Sequence, residues 1–358
     1  MEGKYEIDMP ALRPDQLRQF TQRVFEACGT PAPDAAIVAD HLVNANLCGV
    51  DSHGVIRIPQ YVQEIREGSI VPGAPFHILQ DTETTAIVDG AWNFGPVVAH
   101  RAMEIALEKA LRHHTAFVVT RRCGHAGRLG TYAELAAEKG CFSFAVCNSP
   151  IHGHFVLPWG GREPRLATNP LSYGFPSDFG HPVVADFSTS AAPEGKLRVY
   201  RDQNKPLPPD WIVDHEGRPS TNPQEFYGPP RGAILPFGGQ AGYRSYALAL
   251  LVEILGGTLA GQHITVDQPG NGVAFMVLDI SAFMPRAQFF KALREVRGYM
   301  KSSRPAQGFD EVMLPGEPEF LKKQDREQSG IVLADTTWAE ILKAATSLGV
   351  DWPSAKSG

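Results

Sequence analysis

The chain has 358 residues and a formal charge of -6 at pH 7, with 43% hydrophobic, 20% charged and 9% aromatic side chains. That length supports one large or two medium domains with a substantial core, and 35 glycines and 29 prolines imply many loops in a globular protein rather than a disordered one. The acidic balance leaves no basic footprint for nucleic acid, so no nucleic-acid partner is expected. Five cysteines (Cys28, Cys48, Cys123, Cys141, Cys147) are odd in number and form no C-x-x-C pair, which argues against a zinc ribbon or a complete disulfide framework and for a reducing compartment. No window reaches the roughly 18 uninterrupted apolar residues of a membrane span, and the opening MEGKYEIDMPALRPDQ has no apolar signal core. The expectation is a cytoplasmic protein without a membrane partner.

The first eighty residues read as helices. Leu17, Phe20, Val24 and Phe25 recur at helical spacing after Pro14-Asp15 and stop at Gly29-Thr30-Pro31. A second helix is predicted over residues 34–47, ending at Gly49, and a third through Tyr61 and Ile65, ending near Gly68. From about residue 85 the period changes. AIVDG, AFVVT (116–120), CFSFAVCNS (141–149), LSYGF (171–175) and VAFMVLDI (273–280) are short apolar or β-branched runs bounded by turn residues, hence strands. Helices are predicted between them over 97–113, 129–139, 243–259 and 286–300, and residues 202–231, rich in Pro and Gly, as a long ordered excursion. Strands interleaved with helices give an α/β body carrying a helical N-terminal piece.

A doubly wound dinucleotide fold would need G-x-G-x-x-G directly after a strand, and the chain has none; Gly124, Gly127 and Gly130 are wrongly spaced. Six stretches carry chemistry instead. DSHGVIRIP (51–59) offers Ser52, an imidazole at His53 that can exchange a proton near neutral pH, and a guanidinium at Arg57 able to hold a carboxylate by two hydrogen bonds; the same residues can also serve as helix-end caps. RRCGHAGRLG sets His125 in a Gly-rich turn between a strand and a helix, where it is either a ligand contact or a surface histidine. CNSPIHGHF brings Asn148 and Ser149 to a strand end, followed by His152 and His154, an H-x-H pair without a third ligand nearby, so no metal site is expected. Thr168 and Asn169 in LATNP, and Asp186, Ser188, Thr189 and Ser190 in VVADFSTS, put hydroxyls and amides at strand margins, suited to phosphate, ribose or plain turn chemistry. Gly238-Gly239 runs into a helix whose first amides can bind an anion or simply pack closely.

In this order, DSHGVIRIPQYV, GHAGRLGTYAELAAEKG, PWGGREPRLATNP, ADFSTSAAPEGK, GAILPFGG and LPGEPE resemble the malate/L-lactate dehydrogenase family of the non-Rossmann type, over nearly the whole chain. The relatives include ureidoglycolate and sulfolactate dehydrogenases, diketogulonate reductase and piperideine/pyrroline-2-carboxylate reductases. The resemblance implies an α/β fold: a family-specific NAD(P)-binding domain with a mixed β-sheet over residues 81–330, and a helical domain built from residues 1–80 and 331–358. It implies a homodimer that uses NAD or NADP to move a hydride to or from a small 2-hydroxy/2-oxo acid, or alternatively the C=N bond of a cyclic imine. His53 or His125 matches the proton donor, Asp186 an orienting partner, and Ser52, Arg57, Thr168 and Asn169 substrate contacts. Cofactor contacts fall on Ser149, on Pro182, Val183, Val184, Ala185, Asp186, Phe187 and Ser188, on Gln240, Ala241 and Arg244, and on Gly316, Glu317 and Pro318. The chain departs from the family at Ala241, where a lysine is usual, at Cys123-Gly124 in place of Ser-Asn, and at Ala167 in place of Gly. The first departure also admits a member that binds a ligand without catalysis; Arg244 is the nearest replacement charge.

Overall fold

A computed structural model describes residues 11–149, 153–261 and 270–353. It divides into two compact units, one drawn from residues up to Gly73 and from Gly316 onward, the other running Ala74–Pro315. The sequence-based boundaries were 80/81 and 330/331.

In the first unit Pro14 and Asp15 open α1 (Pro14–Ala27), whose Leu17, Phe20, Val24 and Phe25 are buried on one face. Helix α2 (Ala32–Leu47) is buried along most of its length. It ends before Gly49, whose φ of +78° suits glycine. Two single 3₁₀ turns, Asp51–His53 and Val55–Arg57, lead into α3 (Ile58–Arg66).

The second unit then runs β1 (His77–Asp81), β2 (Thr85–Asp89), α4 (Gly95–His113), β3 (Thr115–Arg121), α5 (Gly130–Glu138), β4 (Cys141–Cys147), β5 (Leu171–Phe175), β6 (Val183–Phe187), α6 (Glu194–Asp202), β7 (Ile212–Val213), β8 (Pro219–Ser220), α7 (Pro223–Tyr227), β9 (Ala233–Ile234), α8 (Gly242–Val252), β10 (Val273–Asp279) and α9 (Arg286–Lys301). The chain returns to the first unit for α10 (Glu317–Ser329) and α11 (Asp335–Thr346). There Trp338 and Trp352 pack edge-on at 5.0 Å and close over Phe20 of α1.

Seven strands form one sheet in the order β1-β2-β3-β10-β4-β5-β6, with a small sheet β8-β7-β9 beside it in the same unit. Only β2 and β3 are parallel, joined through α4; every other neighbouring pair in the large sheet is antiparallel. The late strand β10 inserts at the centre, pairing Phe275 with Val118 on one side and Ala145 on the other. Alternation along the strands then makes two cores. Val118, Ala145, Phe275 and Val277 face α4 and α5 through Val98, Met103, Tyr132 and Ala136, while Val119, Val146, Leu171 and Ala274 face Val252 and Ala260. A separate core around Val156, Leu197, Ile212, Phe226 and Ile234 supports the excursion, which is ordered and holds β7, β8 and α7.

The helix predicted over 243–259 is one helix only to Val252. Glu253–Gly257 widens into a π-helical turn and Thr258–Ala260 tightens into a 3₁₀ turn. The cause is tertiary: a Cβ on Gly256 would lie 3.0 Å from the Gly272 carbonyl, and one on Gly257 would lie 2.5 Å from Asn148 Nδ2, so the backbone here is drawn against the ends of β4 and β10.

Phe275 is fully buried in the central strand and packs edge-on against Tyr132 at 5.4 Å. Phe275→Ala should therefore lose about 3–5 kcal/mol of stability in urea unfolding. A loss under about 1 kcal/mol would mean that the strand is not central to the core.

Candidate active site

In the first unit, the polar loop after α2 is pinned rather than loose. Asn46 of α2 donates from Nδ2 to Asp51 Oδ1 at 2.6 Å and accepts at Oδ1 from the Val55 amide at 2.8 Å. Arg326 of α10 closes a two-point contact on the Asp51 carboxylate, at 2.6 and 3.0 Å. Gly54 is required where the turns meet, because a Cβ there would lie 2.2 Å from Asn46 Oδ1. Ser52, His53 and Arg57 are displayed on this anchored loop. Ser52 Oγ and His53 Nδ1 are 3.0 Å apart. Arg57 donates from Nε to the Ser52 carbonyl at 2.7 Å and from Nη1 to Gln60 Oε1 at 2.6 Å. The N–H groups those bonds do not use are the ones available to a carboxylate.

In the second unit, a network of amides ties the strand ends together. Asn271, just before β10, accepts at Oδ1 from the Ala126 amide at 3.0 Å and donates from Nδ2 to the Asn148 carbonyl at 2.6 Å and to Ser149 Oγ at 3.1 Å. Asn148 accepts at Oδ1 from the Gly272 amide and donates from Nδ2 to Glu253 Oε1 at 2.9 Å. The second oxygen of Glu253 accepts from Asn169 Nδ2 at 3.1 Å, and the same nitrogen reaches the Ala249 carbonyl at 2.9 Å. Thr189 Oγ1, after β6, donates to the carbonyls of Thr168 and Asn169. One hydrogen-bonded chain thus links the loop of His125, Ser149, Thr168 and the residue after Ser188. Asn169 itself is fully buried, with its nitrogen committed to this network. Asp186, on the edge strand β6, accepts at Oδ2 from the Gly130 amide at the start of α5 at 2.7 Å.

The turn that presents His125 is held from behind by a buried carboxylate. Arg122 reaches both oxygens of Asp89 (Nε 2.8 and 3.0 Å, Nη2 2.7 Å) and Arg121 adds a contact at 3.2 Å. Ala91, Trp92 and Arg122 all take positive φ, and Gly95 lies so close to this turn that a Cβ would come 2.1 Å from the His125 carbonyl. Such clustered strain persists where the surroundings over-determine it. Burial alone would lift the Asp89 carboxyl, but hydrogen bonds from Arg122 and the Ala91 amide, with the Arg122 charge, outweigh it and hold the group below its ordinary 3.8.

A nicotinamide dinucleotide needs hydrogen-bonding groups for its amide and riboses and positive groups for its phosphates. The second unit offers both kinds. Asn169 Oδ1 and His154 Nε2 are buried without a hydrogen-bond partner among the described residues, and burial keeps the His154 imidazole below its usual range, hence neutral at pH 7. Gly238 and Gly239, both at positive φ, turn the chain into α8, where Gln240 and Arg244 are exposed and Ala241 partly so. The Arg244 guanidinium lies over its neighbour Tyr243 and donates to the phenolic oxygen at 3.1 Å. On the outer side of β6, the Val184 amide donates to the Pro315 carbonyl, and Gly316, Glu317 and Pro318 follow directly in the chain. Ser188 and Ser190 bond each other at 3.1 Å. His152 lies outside the described residues, and no group of three metal-ligating side chains occurs among those described.

The residues that organise these sites include several that sequence reasoning missed: Asn46, Arg326, Asp89, Asn271 and Glu253. A signal existed for Glu253, the one charge within YALALLVEILGG. Arg326, Asp89 and Asn271 depend on partners far away in the chain, and Asn46 on the way the two turns after α2 fold back onto it.

A malate/L-lactate dehydrogenase family model matches residues 12–342. The chain belongs to the malate/L-lactate dehydrogenase family. It is 35% identical over 349 residues to the malate dehydrogenase of Pyrococcus horikoshii, covering 94% of this chain and 95% of that protein. The crystal structure of malate dehydrogenase from Entamoeba histolytica superposes with a TM-score of 0.91 at 28% identity, covering 97% of this chain and all of that one. That of Δ1-piperideine-2-carboxylate reductase from Pseudomonas syringae pv. tomato superposes with a TM-score of 0.82 at 26% identity, covering 94% and 100%. As a member of this dehydrogenase family the chain is an oxidoreductase of hydroxy acids. Among its described residues no helix is long and apolar enough to cross a membrane.

The family member's Asp89 gives a pH test. Its folded pKa lies below its unfolded one, so its stabilisation is complete above about pH 4 and is lost as pH falls through the folded value. Asp89→Asn should lower the Tm at pH 7 and flatten the fall in Tm on acidification below about pH 4. Parallel melting profiles for wild type and variant would deny Asp89 this role.

Proposed function

We propose that the chain is a NAD(P)-dependent oxidoreductase that interconverts a small 2-hydroxy acid and its 2-oxo acid, acting as a homodimer in the cytoplasm. The observation that carries the reading is the amide network at the strand ends of a mixed sheet that lacks a doubly wound crevice. It ties together the segments of His125, Ser149, Thr168 and Ser188, residues that the family resemblance assigns to cofactor and substrate. Ser149, residues 182–188, Gln240, Ala241, Arg244 and residues 316–318 would hold the dinucleotide, whose nicotinamide supplies or takes up the hydride. Arg57 holds the substrate carboxylate with Ser52 beside it, and Thr168 is a further substrate contact by the family resemblance. His53 or His125 gives the proton to the carbonyl oxygen on reduction and takes it back on oxidation, since a neutral-range imidazole can do both. Asp186, fixed by the Gly130 amide, is the orienting carboxylate. A row of exposed apolar side chains on and just after α8 (Tyr243, Leu250, Ile254) supports a second copy as partner. The five free cysteines support a reducing compartment.

A second reading, reduction of a cyclic imine carboxylate, is favoured by the likeness to the piperideine-2-carboxylate reductase structure. The same residues serve it, with the proton delivered to nitrogen.

Cofactor binding is tested first by thermal shift. A nucleotide at about 100 times its Kd should add about 2.7 kcal/mol of stability. Kinetics with a panel of 2-oxo acids and cyclic imines then assign the substrate. Of His53→Ala and His125→Ala, the one that removes the proton donor should cut kcat by about 100- to 10,000-fold while leaving nucleotide affinity nearly intact. If neither NADH nor NADPH raises the Tm, the reading fails, and a ligand-binding member without catalysis takes its place.

A further inference from the structure

Glu253 carries a buried carboxylate that no step above uses. It is 4% exposed, sits at the first residue of the π-helical turn, and accepts from two asparagines that end different strands. Neither asparagine is free to turn its amide over. Asn148 Oδ1 is held by the Gly272 amide at 2.8 Å, so its nitrogen must face Glu253. Asn169 Nδ2 also serves the Ala249 carbonyl at 2.9 Å, so its nitrogen must face inward as well. The position therefore demands a group that accepts at two oxygens, and among the side chains of this size only the two-oxygen carboxylate group of glutamate meets that demand. The surroundings give way to the contact: Gly256, Gly257 and Gly272 each lie where a Cβ would meet backbone or the Asn148 side chain at 3.0 Å or less.

We propose that Glu253 is a positioning residue for the cofactor site: by accepting from Asn148 and Asn169 together it fixes the spacing of the β4 and β5 ends that carry Ser149 and Thr168. The proposal rests on the reading of Ser149 as a dinucleotide contact. Glu253 touches neither cofactor nor substrate; it acts through Asn148, whose carbonyl and neighbouring Ser149 hydroxyl both accept from Asn271. Glu253→Gln keeps the volume but turns an N–H toward one of two amides that also present N–H, and a buried donor without an acceptor is costly.

The test measures the Kd of NADH and NADPH by fluorescence titration, with kcat and KM for the best substrate, in wild type and Glu253→Gln. The nucleotide bound by the wild type should bind the variant about tenfold or more weakly, whereas kcat at saturating cofactor stays within about threefold. Val277→Ala, a fully buried change four residues into the β10 strand, serves as the comparison. It should lower the Tm yet leave both Kd values unchanged, separating positioning from general stability. Glu253→Gln with wild-type Kd values would overturn the proposal, as would an equal loss of affinity in Val277→Ala at matched Tm. Should Glu253→Gln fail to fold, Glu253→Asp takes its place, since it keeps both acceptors but shortens their reach to Asn148 and Asn169; weaker nucleotide binding is again expected, and wild-type affinity there overturns the proposal. A wild type that binds neither nucleotide shows, before any variant is made, that the cofactor reading itself has failed and the proposal with it.

Discussion

A carboxylate taken out of water must be met by donors, and at Glu253 the donors are side-chain amides at the ends of β4 and β5. That requirement reaches from the end of α8 to the ends of two strands of the second unit. It fixes the orientation of two asparagines at a wider helical turn, where three glycines let the backbone close against Asn148 and against itself. Through Asn271 the same network continues to Ser149 and to the amide beside His125. Breaking one member leaves another buried group unpaired, so the arrangement is held as a whole or lost as a whole.

The sheet topology explains why such a network is needed. A doubly wound parallel sheet makes its binding crevice where strand order reverses, and helix N-termini supply the phosphate site. Here only β2 and β3 run parallel, and β10 enters the middle of the sheet from late in the chain. Loops from β3, β4 and β6 and the approach to β10 and β5 meet without a shared helix-start motif, and the polar side chains between them must fix their spacing. The Asp89 cluster does the corresponding job for the turn that carries His125.

Much of the fold was legible because its signals are local. The strands β2 to β5 and β10, and the helices of the first eighty residues, follow from period and turn residues. Strand β1 was not legible, since all five of its residues are exposed and its sequence HILQD shows no buried alternation. The end of α8 was not either, since Leu-Val-Glu-Ile-Leu reads as helix until Asn148 and Asn169 are brought to Glu253. Of the site, polar residues at strand margins could be picked out singly, and the family resemblance gave them roles. Their linkage could not be read: Arg326 stands 275 positions from Asp51, and Asn271 is 145 from Ala126. Partners that distant leave no mark in local spacing.

The central claim is that the strand ends tied together by Glu253 and Asn271 receive a nicotinamide dinucleotide. Hydrogen exchange of the backbone amides, followed with and without saturating NADH or NADPH, tests it most directly because it reports location without requiring turnover. The account predicts slowed exchange at residues 123–130, 146–149 and 168–172 with the nucleotide that binds, and little change in the small sheet β8-β7-β9. Tight binding with protection confined to other segments, and none at these strand ends, would contradict it.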